Sequence, residues 1–155
     1  MSKRKDYIFV SIQLLLIALW FWCWWPFDRP MHASFLLRLV GLVMAGVGVV
    51  LVIWPVIQIR KAITMLPTPT AQAQLVTGGA FRYIRHPIYT GIILGSIGLA
   101  LAYGNYGMFV TGIALLILFY VKSMYEETRL TERFPDYKAY QKKDLAIFPG
   151  FISSN

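Results

Sequence analysis

Two short polar stretches border the long apolar runs of this chain, and both carry residue types that do chemistry. The first is Arg82-Tyr83-Ile84-Arg85-His86-Pro87-Ile88-Tyr89. Proline is favoured at the first position of a helix, where its missing N–H would be unpaired anyway. A helix starting at Pro87 therefore points its free N–H groups, near Ile88 and Tyr89, and its positive dipole end at Arg85 and His86. That is a place for a carboxylate or a phosphate; plain anchoring of Arg82 and Arg85 in lipid headgroups is the alternative. The second stretch is Glu126-Glu127, after the next apolar run. A helix C-terminus disfavours carboxylates, so the pair calls for cations. Lys122 lies four residues before Glu126 and Arg129 three after it, which also fits a solvated ion-pair network of small value.

The elements that must position these groups are membrane spans. Tyr7–Phe27 and Leu39–Ile59 are each long enough to cross a bilayer. Pro87–Val121 is uncharged and too long for one ordinary span, and Tyr103-Gly104-Asn105-Tyr106-Gly107 carries turn signals in its middle. The expected helices are therefore 87–102 and 108–121, a hairpin whose halves are short for a full crossing. The predicted architecture is an all-α integral membrane protein, a single domain over 1–155 with about four spans (7–27, 39–59, 87–102, 108–121). A C-terminal interfacial helix follows within Glu126–Gln141, where Leu130, Phe134, Tyr137 and Tyr140 recur among charges, with a kink or restart at Pro135. Loop and tail segments 75–91 and 122–149 carry the site. Pro67-Thr68-Pro69-Thr70 and Gly78-Gly79 break the longest connection, and the apolar ending Ile147–Phe151 is expected to dock back. Small residues at Gly41, Ala45, Gly48 and at Gly91, Gly95, Gly98 mark seams for close helix packing in lipid.

Composition agrees. The chain has 155 residues, 57% hydrophobic and 14% charged, with mean hydropathy +0.58, against about 45–50% and 25% for soluble domains. The net charge of +8 sits beside apolar spans rather than on one solvated face. It points to anionic lipid as partner, not nucleic acid. Placing the N-terminus in the cytosol puts thirteen Lys and Arg inside and only Arg29 and Arg38 outside, a strong positive-inside bias. Both termini, the Arg82–His86 stretch and Glu126-Glu127 are then cytosolic, in a bacterial inner membrane or an endoplasmic reticulum. The tryptophans at 20, 22, 24 and 25 suit an interfacial belt on the far side. The first apolar stretch lacks the small residues of a signal cleavage site and reads as a retained span. One cysteine, Cys23, and two histidines, His32 and His86, give no disulfide and no expected metal site.

Taken together the two polar stretches suit a zwitterion. Arg85, His86 and helix N–H groups hold a carboxylate. A glutamate holds an ammonium or the hydroxyls of a ribose, and Phe81, Tyr83 and Tyr89 offer flat faces to a ring or a cation. S-adenosylmethionine has all of these parts. The run Leu75-Val76-Thr77-x-Gly79-x-Phe81-x-x-x-Arg85-His86-Pro87-x-Tyr89-x-Gly91 resembles a signature of the isoprenylcysteine carboxyl methyltransferase and phospholipid methyltransferase group. So does Glu126-Glu127-x-x-Leu130-x-x-x-Phe134-x-x-Tyr137-x-x-Tyr140 with Pro149 beyond.

The resemblance implies a membrane-embedded methyltransferase that uses S-adenosylmethionine and takes a lipophilic small-molecule or prenylated acceptor from the bilayer. It carries cofactor-binding roles onto Leu75, Gly79, Tyr83, Arg85, His86, Pro87, Tyr89, Glu126 and Glu127. Phe81 stands where the family commonly has tyrosine, and Lys122 near where it often has arginine. Methyl transfer from a sulfonium is an in-line displacement that depends mostly on alignment. A carboxylate acceptor needs no base and is oriented by Arg82 or Arg129. An amine acceptor must lose a proton, which a glutamate can take; Glu127 and Arg129 are thus the catalytic candidates. The leading expectation is an isoprenylcysteine carboxyl methyltransferase-like enzyme. Phospholipid-amine N-methylation, a sterol-type reductase using NADPH and a non-enzymatic membrane adaptor are the alternatives.

Overall fold

The computed structural model describes residues 2–24, 32–59 and 75–141. Every regular element among them is helical: α1 (Ser2–Trp22), α2 (Phe35–Ile59), a 3-10 turn (Gly79–Arg82), α3 (Pro87–Tyr103), α4 (Tyr106–Arg133) and α5 (Tyr137–Gln141). Three helices are long and apolar enough to cross a membrane: α1 from Arg4, α2 and α4. The shorter apolar α3 has 17 residues, about 26 Å at 1.5 Å per residue. The chain is an all-α membrane protein. The Pro67–Thr70 breaker, the first span's end at Trp25–Phe27, Arg29, Arg60, Lys61, Lys142, Lys143 and the Ile147–Phe151 ending lie outside the described residues.

α2 and α3 pack as an antiparallel pair joined backbone to backbone. A Cβ on Gly48 would stand 2.6 Å from the Gly91 carbonyl oxygen, and one on Gly98 would stand 2.6 Å from that of Gly41. Hydrocarbon tails compete with apolar side chains on equal terms in a bilayer, so close approach through small residues is what holds such a pair. α3 then turns back into α4. Gly104 takes the left-handed conformation (φ 66°) that ends α3, and the Asn105 side chain caps α4 by accepting from Met108 N at 2.9 Å. The same Asn105 donates to the Cys23 carbonyl at 2.7 Å, tying the end of α1 to the hairpin turn.

Two expectations need correcting. Glu126-Glu127 does not begin a helix lying on the membrane surface. α4 runs unbroken to Arg133, because nothing before Phe134-Pro135 opposes helix, and the residue preceding a proline is pushed out of the α region. The restart after Pro135 is only α5, and the acid pair lies more than a turn inside α4, where the dipole penalty is small. Second, Trp20 is no belt residue: it is buried with Ala100 and Met108 at the α1–α3–α4 junction, whereas Trp22 and Trp24 are exposed. α1 runs along α4, with Leu16 and Ile17 against the Ile93, Leu115 and Phe119 core.

Candidate functional site

The start of α3 and the middle of α4 meet, and their polar residues form one network. Arg85 donates to Glu127 at 3.2 Å, and His86 Nε2 lies 3.3 Å from the same carboxylate. His86 Nδ1 stands 3.6 Å from Glu126. Tyr89 donates its hydroxyl to Glu126 at 2.6 Å. Where the sequence alone suggests a ligand's anionic group beside Arg85 and His86, the carboxylates found there are those of the chain's own Glu126 and Glu127. Charge-assisted bonds of this kind are the stronger ones. The side chains of Arg85, His86, Glu126 and Glu127 are all less than one-fifth exposed.

Local structure explains the aim. Pro87 occupies the first turn of α3 and is fully buried, leaving His86 as the cap residue with extended φ (−123°). The ring of His86 stacks parallel to that of Tyr89 one turn on, with centroids 5.6 Å apart. Tyr89 stacks in turn on Phe119 at 4.6 Å. This row of flat rings fixes the imidazole edge toward the two glutamates.

α5 closes the network from the other side. Gln141 donates to Glu127 at 3.1 Å, and the Tyr140 hydroxyl donates to the Phe81 carbonyl of the 3-10 turn. Tyr137 and Tyr140 are buried here. Burial, reinforced by the Glu127 carboxylate and opposed by Arg85, holds the Tyr137 hydroxyl far above the ordinary tyrosine range. Burial likewise lifts Tyr140, with Arg85 pulling down and Glu127 pushing up. Both hydroxyls thus remain protonated donors well into alkaline solution.

The turn that leads into α3 is pinned by α2. Gln58 Nε2 donates to the Gly78 carbonyl at 2.7 Å, and Ala80 N donates to Gln58 Oε1 at 3.2 Å. Gly79 has φ +60°, a backbone conformation that favours glycine, and a Cβ there would push the Gln58 amide out of its place.

The candidate residues thus fall into two groups. Arg85, His86, Tyr89, Glu126 and Glu127 converge, with Pro87 beneath them. Leu75, Gly79 and Tyr83 lie on the approach to α3; Leu75 is partly buried and Tyr83 is 54% exposed. Arg129 does not join the network: it donates to Glu132 at 2.9 Å and to the Tyr125 hydroxyl at 3.3–3.4 Å. Lys122 is not the surface partner of Glu126 that its spacing implies, but a buried residue bonded to Gln13 of α1 at 2.7 Å. Gln58, Gln141 and Gln13 are not singled out by the sequence, and Tyr140 enters there only as part of the tail pattern and signature, not as a site residue. The three glutamines carry no sequence signal. Among the described residues no group of three or more His, Cys, Asp or Glu is arranged to hold a metal ion.

A groove of about 450 Å³ opens along the outer face of α4 beside α5. It is lined by Tyr120, Met124, Glu127, Thr128, Thr131, Glu132 and Gln141. Its volume is in the range of small-molecule sites. One end is apolar, the other polar and acidic, and Glu127 belongs to both the groove and the network.

Comparison with curated proteins gives no match. Comparison with protein-family models matches phospholipid methyltransferase over residues 36–137, a segment that holds all but the first residue of α2, the whole of α3 and α4, and every residue of the convergent cluster. The chain belongs to the phospholipid methyltransferase family, a family of membrane methyltransferases.

Proposed function

We propose that this protein transfers a methyl group from S-adenosylmethionine to an amine carried by a membrane-borne lipid. The observation that carries the donor half is the convergence of Arg85, His86 and Tyr89 with Glu126 and Glu127 at one buried point. These residues fit a zwitterionic nucleoside. Arg85 Nε is a buried donor with no hydrogen-bond partner, suited to a carboxylate. The two glutamates suit an ammonium or a ribose, and the exposed Tyr83 ring suits a purine face. Leu75 and Gly79 are assigned to the loop side by the family resemblance. When bound, the donor supplies an electrophilic methyl on a sulfonium.

The acceptor half rests on the groove. Its apolar end, Tyr120 and Met124, suits a hydrocarbon chain, and its polar end holds two carboxylates, Glu127 and Glu132, with no cation among the lining residues. A carboxylate acceptor meets cations already engaged: Arg85 by Glu127, and Arg129, expected to orient one, by Tyr125 and Glu132. An ammonium headgroup is attracted instead. Glu127 accepts its proton, so that the freed nitrogen lone pair forms the new N–C bond while the C–S pair returns to sulfur. Arg85, His86 and Gln141 keep that carboxylate aimed. The Lys and Arg distribution supports a site on the cytosolic face, with both termini on the same side; accessibility of cysteines introduced at each end tests it.

The deciding experiment is a methylation screen of the full chain in detergent. Labelled donor is offered with lipid amines, prenylcysteine acids and lipid thiols, and product masses are read. Label on nitrogen is expected. Label on a carboxylate overturns the amine assignment, and binding of NADPH in preference to S-adenosylmethionine overturns the donor.

A further inference from the structure

α1 lies outside the matched family segment, yet it sends two polar side chains inward beside the site. Gln13 accepts a hydrogen bond from Lys122 Nζ at 2.7 Å. Lys122 is 2% exposed, and its ammonium stands 5.1 Å from the centroid of the Tyr89 ring and 6.0 Å from that of Phe119. Asp6 is 1% exposed, and one of its carboxylate oxygens has no hydrogen-bond partner. It lies within electrostatic reach of both Lys122 and Glu126.

A lysine near the edge of a span ordinarily snorkels toward water, since its flexible stem allows it and burial of the charge is costly. Lys122 does the reverse. It is held by a neutral amide from a neighbouring helix, above an aromatic face that attracts a cation, with its counter-charges at one remove. The ring beneath it belongs to the residue whose hydroxyl donates to Glu126 at 2.6 Å. A cation over a phenol draws electron density from the ring and strengthens the O–H as a donor. Bonds in such a low-dielectric chain reinforce one another.

We propose that Lys122 is a positioning residue for the Tyr89–Glu126 pair, seated by Gln13 and counter-charged by Asp6, so that α1 is a component of the site. Its ligand readout rests on the methyltransferase reading above; a second readout does not. The full chain in detergent is titrated with S-adenosylmethionine by calorimetry, and fluorine NMR is recorded without ligand on protein carrying ortho-fluorotyrosine at position 89. Lys122→Met is expected to weaken binding about threefold, less than outright loss of the Tyr89 hydroxyl, and Gln13→Leu about twofold. The double variant is expected to be no worse than Lys122→Met alone, because Gln13 acts only through the lysine. Lys122→Arg is expected to recover part of the loss, and the fluorine resonance to move in both single variants. Losses that multiply in the double variant, or an unmoved resonance, overturn the proposal. If Lys122→Met does not fold, Gln13→Leu decides through the same two readouts, since it leaves every charge in place. A wild-type protein that binds no donor overturns the donor assignment, and the fluorine shift then decides the positioning role.

Discussion

α3 makes two contacts of opposite construction. Toward α2 it presents Gly91 and Gly98, and the helices meet through backbone with scarcely any side chain between them. Toward α4 it presents His86 and Tyr89, and the helices meet through charges, hydroxyls and stacked rings. The first contact tolerates no added atom but asks nothing of chemistry. The second is assembled from titratable and hydrogen-bonding groups. The α2 seam thereby acts as the fixed anvil against which the start of α3 is held while α4 and α5 carry the responsive groups.

The largest effect should come from breaking the anvil. Gly48→Val places a side chain against Gly91 and Gly95 backbone and is expected to cost about 3 kcal/mol or more, the upper range for overpacking. The unfolding midpoint in detergent should collapse. Gly46→Ala is the control: a Cβ there meets nothing within 4 Å, and its midpoint should hold or rise slightly. If the two behave alike, the seam is not what holds the pair.

On the chemical side, Glu127→Gln removes the charge that Arg85, His86 and Gln141 share. Donor affinity is expected to fall roughly 10- to 100-fold, the equivalent of about 1.5–3 kcal/mol for bonds to a charged group, as measured by calorimetry. Tyr89→Phe deletes only the 2.6 Å donor to Glu126 and should cost about 1 kcal/mol, or fivefold. An equal loss of folding stability in these variants would erase the contrast with the seam.

Alkali offers a graded test. Tyr137 and Tyr140 hold their protons more tightly folded than unfolded. The stability this contributes is fully present below the unfolded tyrosine value near 10 and is lost as pH rises above it, at about 1.4 kcal/mol per pH unit for each hydroxyl. Unfolding midpoints should therefore drop steeply from about pH 10, and Tyr140→Phe should flatten the slope. The smallest effect is expected from Gln58→Ala, which frees the Gly78–Ala80 turn: roughly 1 kcal/mol of stability and a donor affinity reduced by a small factor, read in the same titrations.

Much of the arrangement was legible before any coordinates. The apolar runs, the turn at Gly104-Asn105 and the small-residue seams are local or periodic signals, and they force α3 and α4 into a hairpin. That hairpin alone brings His86 near Glu126 and Glu127. What was not legible depends on rotation of one helix about its axis relative to another. Trp20 and Lys122 read as edge residues because belts and basic flanks commonly sit at span ends, yet both turn inward, Trp20 against Ala100 and Met108 and Lys122 against Gln13 of α1. Gln13, Gln58 and Gln141 are single amides with no pattern around them; only packing shows which ammonium, backbone group or carboxylate each serves. The continuation of α4 through Glu126-Glu127 was hidden by Lys122, whose charge mimics the end of a span.

That continuation has a mechanical outcome. α4 counts 28 residues, about 42 Å at 1.5 Å per residue, against a hydrocarbon layer of about 30 Å. A single rigid rod thus joins the lipid-immersed segment to the acidic pair, with no hinge to absorb movement. When bilayer thickness changes and the rod tilts to match, Glu126 and Glu127 are carried along with the lipid-immersed part as one body.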